Sequence, residues 1–307
     1  MKKLKKYIFQ NSLSIIVVFV SVFIVGISFY QYFNDYYGYA PKYYEYEKQC
    51  KQDKKKESCK ILKQMEDPKE KFSKLDVITL SCEIVQNHAF LYMQLLAPLF
   101  IIIITLSRVH DEINSGMFRY YLTRMKYKDY IKKIFKSSLK PALLFPCLLI
   151  LIVLISGVIT KFNFKVDPEV TKIAVYDSWK YHNFILYGLI LCIVQYLMGI
   201  FYGNLGLLFC KKNKNKLISI FLGYITFFVI DIIFYVVIYA LIINKIFGYH
   251  TWMKYFNLLG YFSFDGNTNF VFVIIISLLL VILSYLILFI FYRKKEGMIL
   301  ANEKEND

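Results

Sequence analysis

The residues best suited to chemistry in this sequence are the charged ones from Arg108 to Lys136, which read RVHDEINSGMFRYYLTRMKYKDYIKKIFK. Side chains of this kind form ion pairs with a partner surface or with lipid headgroups. No catalytic pattern accompanies them, since the sequence contains no H-E-x-x-H motif, no G-x-S-x-G motif and no CxxC pair. We therefore expect no catalytic residue and no metal site, which disfavours a membrane-bound enzyme.

The elements that must position these charges are apolar. The chain has 307 residues, of which 57% are hydrophobic and 19% aromatic, a composition typical of a protein that crosses a membrane several times. A bilayer-spanning helix needs roughly 17–25 apolar residues. Six stretches of about this length predict an all-α membrane protein with six transmembrane helices: Leu13–Phe33, Ala89–Leu106, Ala142–Thr160, Phe184–Phe209, Leu217–Ile243 and Asn269–Tyr292.

The net charge of +16 is arranged by side of the membrane. Basic segments lie at the N-terminus and at Arg108–Lys140, Cys210–Lys216 and Tyr292–Lys295, and they alternate with segments of nearly balanced charge. This alternation follows the positive-inside rule, so we predict both termini in the cytoplasm and no nucleic-acid partner. The first apolar run is longer than the core of an ordinary signal peptide, and we interpret it as a retained anchor in the cell (plasma) membrane.

The predicted extracellular segment, residues 34–88, contains a tyrosine-rich part and then a Lys-rich part. Cys50 and Cys59 flank KQDKKKES within it. In an oxidising exterior these two cysteines could close a small loop, whereas some cell surfaces contain few disulfides. The sequence leaves both states open.

The predicted cytoplasmic segment, residues 107–141, is patterned. From Tyr127 to Phe135 the apolar side chains recur at helical spacing, and lysines take the opposite face. This pattern predicts an amphipathic helix at the membrane surface. Gly116 would loosen or end the helix that leaves the second span, and Pro141 fits the first turn of the third span.

The same segment resembles the cytoplasmic loop of the type-2 ABC transporter permeases, in which an acidic residue, a glycine, a Ser/Thr-Arg pair and a lysine recur in this order. The resemblance is carried by Glu112, Gly116, Tyr121, Leu122, Thr123, Arg124, Tyr130 and Lys133. Two features depart from the simplest members: the first outer segment is longer, and no proline precedes the Thr123–Arg124 pair. The motif covers about thirty residues, while the six-span layout covers the whole chain, 1–307, as a single permease domain.

The resemblance implies a function. In that family the loop forms a coupling helix that docks on a separate ATPase, which assigns ATPase coupling to Glu112, Gly116, Tyr121, Leu122 and Arg124. The sequence itself contains no G-x-x-x-x-G-K-[ST] phosphate loop. We therefore expect ATP and Mg to be bound by a partner P-loop ABC ATPase and no cofactor by this chain. A second permease copy or a sister permease would complete an exporter of an amphipathic peptide, lipid-like molecule or drug.

An alternative from another class is a non-transporting membrane protein, an immunity factor or a sensor whose extracellular segment binds a ligand. Co-purification of an ATPase would distinguish the two.

Three polar side chains lie within the predicted spans: Asp231, Gln94 and Gln195. An unpaired charge in a bilayer costs at least about 2.5 kcal/mol, so Asp231 is expected to face the bundle interior, a partner or a cavity. One interpretation places all three residues along a substrate path. The preferred interpretation is that they form hydrogen bonds between helices.

Overall fold

The computed structural model describes residues 2–53, 59, 75–114, 117–165, 179–211, 213, 215–263 and 269–293. These residues form helices and turns, and no strand occurs among them, which confirms the all-α prediction for this part of the chain. In chain order the α-helices are α1 (Lys2–Asp53), α2 (Val77–Gln86), α3 (His88–Asn114), α4 (Met117–Arg124), α5 (Tyr127–Lys136), α6 (Leu144–Ile159), α7 (Trp179–His182), α8 (Phe184–Cys210), α9 (Lys216–Ile232), α10 (Lys245–Phe247) and α11 (Phe270–Tyr292).

Six helical stretches among the described residues are long and apolar enough to cross a membrane. They are Ser12–Asn34, His88–Ile113, Tyr127–Ile159, Phe184–Cys210, Lys216–Phe247 and Phe270–Tyr292. Each overlaps one predicted span, which confirms six apolar helices of spanning length at the predicted places and indicates a multi-pass membrane protein. Which side faces the cytoplasm stays a prediction.

Two helices run further than the apolar pattern predicts. The predicted second span stops at Leu106, but α3 continues to Asn114 because its polar last turns find partners in neighbouring elements. The first span continues as one helix to Asp53 through the tyrosine-rich region, with Pro41 inside it. The predicted fifth span is not α-helical throughout, because α9 ends at Ile232 and a π-helix follows over Ile233–Asn244.

The chain divides into two compact units. The first unit comprises Met1–Ser21, Met93–Leu149 and Ile185–Asp307, and the second comprises Val22–Tyr92 and Ile150–Phe184. The single-domain prediction stays a prediction.

Small residues let the helices of the first unit approach closely. A Cβ atom on Gly199 would lie 2.8 Å from the Ala142 Cα, and one on Gly203 would lie 2.7 Å from the Ser138 Cβ. Real Cβ atoms do not come this near to other heavy atoms, so only glycine fits at either position. The Gly199–Gly203 pair therefore packs α8 against the start of the third span, as small residues at this spacing favour.

The second unit is organised around α2. Asp76 caps this helix, because its carboxylate accepts hydrogen bonds from the Thr79 backbone N–H at 2.8 Å and from the Thr79 hydroxyl at 2.7 Å. The buried side chains of Ile78 and Cys82 pack with Tyr181 of α7. This small apolar cluster joins α2 to the α7 region, which the sequence did not link.

Candidate functional site

The segment predicted to couple to an ATPase folds into two short helices, α4 and α5, after α3. The α4–α5 segment turns at Met125 and Lys126, where Lys126 is extended and α5 starts anew. Asp129 in the first turn of α5 and Lys133 and Lys136 in its last turn suit the helix dipole. Gly116 lies outside the described residues, and α3 ends two residues before it.

An ion pair joins α5 to the end of α3. The Lys133 Nζ lies 2.8 Å from the Glu112 Oε2, with 35% of the Lys133 side chain and 12% of the Glu112 side chain exposed. Because Glu112 is mostly shielded from water, this contact is stronger than an ordinary surface pair. It fixes the position of α5 relative to the second span.

A stack of side chains extends this contact to α4. The Tyr121 ring stacks on the Tyr130 ring with their centres 6.1 Å apart, and the Lys133 Nζ lies 3.8 Å from the Tyr121 ring centre. Tyr130 is fully buried. Lys133 thus binds a carboxylate and an aromatic face at once, so α3, α4 and α5 share one contact.

The other two described residues predicted to couple to an ATPase, Leu122 and Arg124, are more exposed than Glu112. Leu122 is half-buried, whereas Arg124 is exposed and its guanidinium lies 4.3 Å from the Tyr120 ring centre. Tyr120 and Met117 are also exposed. The structure therefore groups Glu112 and Tyr121 inward and presents Arg124 outward on a surface with Tyr120.

The apolar face of α5 contacts protein. The Tyr127 hydroxyl donates a hydrogen bond to the Tyr292 carbonyl oxygen at 2.6 Å, and the Phe135 ring lies 5.8 Å from the Tyr285 ring. The sequence predicted that this face would rest on the membrane surface. Instead Tyr130 and Ile134 are buried in the first unit and α11 supports the helix, because a helical repeat does not distinguish a lipid surface from a protein surface.

Two residues just before Glu112 tie α3 to the start of α9 and to the loop before it, and sequence reasoning missed both. The Asp111 Oδ1 lies 3.6 Å from the Lys216 Nζ, which also donates to the Ser107 carbonyl oxygen at 3.0 Å. The His110 Nε2 lies 3.1 Å from the Asn213 carbonyl oxygen. The signal that could have found them is the polar run HDE at the end of an apolar helix. Through the side chains of this run, the end of α3 contacts both α5 and the start of the fifth span.

The three polar residues within the spans all contact one element, which we call the aromatic segment, residues 250–263. The Asp231 Oδ1 accepts a hydrogen bond from the Leu258 backbone N–H at 2.9 Å. The Gln195 Nε2 donates to the Phe262 carbonyl oxygen at 3.0 Å, and the Gln94 side chain donates to the Ser263 hydroxyl. Asp231, Gln94 and Gln195 thus each hold the aromatic segment by a hydrogen bond, and the substrate-path and interhelical interpretations both stay predictions.

The aromatic segment lies inside the first unit. It contains two 3₁₀ turns, His250–Tyr255 and Leu259–Phe262. Phe262 is buried, its ring stacking on Tyr202 at 6.0 Å and meeting Phe145 edge-on at 4.7 Å. Polar bonds and aromatic packing together hold the segment among the spans.

Cysteines provide the remaining candidate chemistry. Cys50 and Cys59 form a disulfide, with their Cα atoms 5.1 Å apart. Burial raises the pKa of the Cys82 thiol to about 12, and the charge of Lys180 opposes that rise. Cys82 is therefore an inert core residue. Within the described part of the chain, no group of three His, Cys, Asp or Glu side chains could hold a metal ion.

The comparisons with known proteins add no family. The chain has no significant match to any family model, curated protein or solved structure.

Proposed function

We propose that the chain is the permease subunit of an ABC exporter in the cell membrane, and that the α4–α5 segment is its coupling element. The observation that carries this proposal is the Lys133–Glu112 ion pair, reinforced by the stacked ring of Tyr121. An ordinary polar linker between two spans needs no such internal bracing. A coupling element does, because it must transmit a push without deforming.

A chain of side-chain contacts joins α4 to three spans and would transmit such a push. Force applied to α4 would pass through Tyr121 and Lys133 to Glu112 at the end of α3. From there the Asp111–Lys216 pair leads to the start of α9, and Tyr127 leads to the end of α11. A small displacement of α4 would thus reach three spans together, as rigid-body alternation between inward and outward access requires.

The docking surface is the outward side of α4. Arg124 and Tyr120 are exposed there, and Arg124 forms no ion pair with another described residue. A guanidinium stacked on a tyrosine ring is held ready for a carboxylate of the ATPase. In this proposal the α4–α5 segment and both termini lie in the cytoplasm, as the charge alternation favours.

The fifth span has an exposed apolar face, and we propose that a second permease copy or a sister permease packs against it. In the most apolar part of Lys216–Phe247 only 11% of the residues are buried, whereas the corresponding value for His88–Ile113 is 61%. Lipid or a second permease must cover the exposed face of this span. We propose an amphipathic peptide, lipid-like molecule or drug as the cargo, which the aromatic content of 19% favours.

A second candidate is an immunity or sensor protein that does not transport. The separate compact unit that contains Val22–Tyr92, with the Cys50–Cys59 disulfide at the end of α1, favours this candidate because such a unit could bind an external ligand.

The experiment that tests the proposal is affinity purification of the tagged chain from its native membrane in mild detergent. A P-loop ATPase in stoichiometric amount, identified by mass spectrometry, supports the permease. Purification of the chain without an ATPase, together with retained ligand response of intact cells, supports the sensor.

A further inference from the structure

A cleft of about 670 Å³ opens beside the α4–α5 segment, in the first unit. Its walls come from the start of the first span, the end of α3, α5 and the turn that leads into the third span. The lining residues are Ser14, Ile104, Thr105, Ser107, Val109, Glu112, Asp129, Lys132, Lys133, Ile134, Lys136, Ser137, Lys140 and Pro141. Three apolar spans therefore begin or end at this cleft, which places it at the level of lipid headgroups.

The cleft has unbalanced positive charge. Lys133 is paired with Glu112 at 2.8 Å, and Lys132 lies 3.8 Å from Asp129. Lys136 and Lys140 are exposed and form no ion pair with another described residue. Two cationic side chains on one rim are thus available to an anion.

Thr105 also lines the cleft, but its hydroxyl is packed against α8, since the Oγ1 lies 3.0 Å from the position that a Cβ atom on Gly203 would take. The cleft therefore offers a ligand its lysines and its apolar side chains, and this buried hydroxyl is not one of its contacts.

Apolar side chains complete the lining. Ile104 and Ile134 contribute to the same walls as the lysines. A site with two free ammonium groups and an apolar wall at headgroup level matches the phosphate of a lipid whose glycerol and acyl chains continue along the spans. A soluble phosphate would use the charges but gain nothing from the apolar wall.

We propose that this cleft binds the phosphate of an anionic phospholipid, with Lys136 and Lys140 as its cationic contacts. The proposal rests on the six spans and the cleft, and it holds whether or not the chain is a permease. A bound lipid would also lie against α5, so membrane composition would influence the position of the α4–α5 segment.

The test is native mass spectrometry of the full-length protein in detergent, titrated with phosphatidylglycerol, phosphatidylcholine or inorganic phosphate. Wild type should bind phosphatidylglycerol at least about tenfold more tightly than phosphatidylcholine, given about 1 kcal/mol per lysine near an anionic surface. Lys136→Gln with Lys140→Gln should abolish this preference. Lys128→Gln, a change of the same kind on α5 but outside the cleft lining, should retain it.

Further variants keep the result interpretable. Lys136→Arg with Lys140→Arg retains the charge and should retain the preference, which separates charge from folding. Thr105→Val changes a lining residue at nearly constant volume without changing the charge of the cleft, and it should retain the preference. Equal binding of the two lipids by wild type, or an unchanged preference in the double Gln variant, would overturn the proposal. Inorganic phosphate that binds with the same lysine dependence while the lipids do not would assign the cleft to a soluble anion and also overturn it.

Discussion

The Lys133 Nζ lies 2.8 Å from the Glu112 Oε2, and this contact ties the amphipathic helix α5 to the last turn of the second span. Lys133 also covers the Tyr121 ring, so the pair braces α4 as well. The residues that resemble a coupling motif in sequence are therefore neighbours in space where they face inward. The proposed mechanical role depends on this bracing.

A double-mutant cycle measures the bracing directly. Glu112→Gln and Lys133→Gln should each destabilise the protein by about 1–3 kcal/mol, because each leaves a partly buried charged group without its ionic partner. The double variant should lose less than the sum of the single losses, by about 0.5–3 kcal/mol. Denaturant unfolding in detergent micelles provides the measurement, and strictly additive losses would show that the pair contributes nothing.

Asp231 tests the role of the polar residues within the spans. Asp231→Asn retains an oxygen that can accept the Leu258 N–H, so thermal stability and ATP turnover of the assembled complex should stay near those of wild type. Asp231→Leu leaves that N–H without its acceptor and should cost about 1–3 kcal/mol and lower the yield. Loss of turnover in a well-folded Asn variant would instead assign the carboxylate to a substrate path.

Much of this architecture could be predicted from the sequence. Apolar runs of sufficient length locate the spans, and the repeat from Tyr127 to Phe135 predicts α5, because both signals are local. The partner of each polar residue could not be predicted in this way. Asp231 and Leu258 are 27 residues apart, and Gln94 and Ser263 are 169 apart. Such pairs arise only when the aromatic segment folds back among the spans, and no periodicity in the chain specifies that.

The apolar face of α5 shows a second limit of prediction from the sequence. Its pattern was correct, but its contact surface is α11 and the bundle rather than lipid. Side-chain hydrophobicity reports that a face will leave water, and it does not report what covers that face.

Thiol chemistry tests the second unit. Native protein should show Cys50 and Cys59 protected from alkylation as a disulfide, and peptide mass spectrometry without reductant should find them linked. Cys82 should also resist maleimide at pH 8, because a thiol with a pKa of about 12 is almost entirely protonated there. The thiolate fraction of Cys82 rises with pH, so labelling should accelerate toward pH 12. Rapid labelling of Cys82 at pH 7 in folded protein would contradict the packing of α2.

The topology predicted from the charge alternation is tested by adding one cysteine at a time. The background replaces Cys147 and Cys192, the two free cysteines that are not buried, by Ala. A cysteine at exposed Lys48 should react with an impermeant maleimide added to intact cells. A cysteine at exposed Lys128 should react only after permeabilisation. The reverse pattern at either site would exclude the proposed orientation.

The central claim is that α4 docks on an ATPase, and co-purification with Arg124→Glu tests it most directly. Reversing this exposed charge should remove a docked ion pair, which typically costs about 2–5 kcal/mol, and should reduce the recovered ATPase at least about tenfold. Membrane insertion and yield should stay unchanged, since Arg124 has no other charged contact among the described residues. The matched control is Lys128→Gln on α5, which should recover the ATPase as wild type does. Full ATPase recovery with Arg124→Glu, at normal yield, would contradict the account.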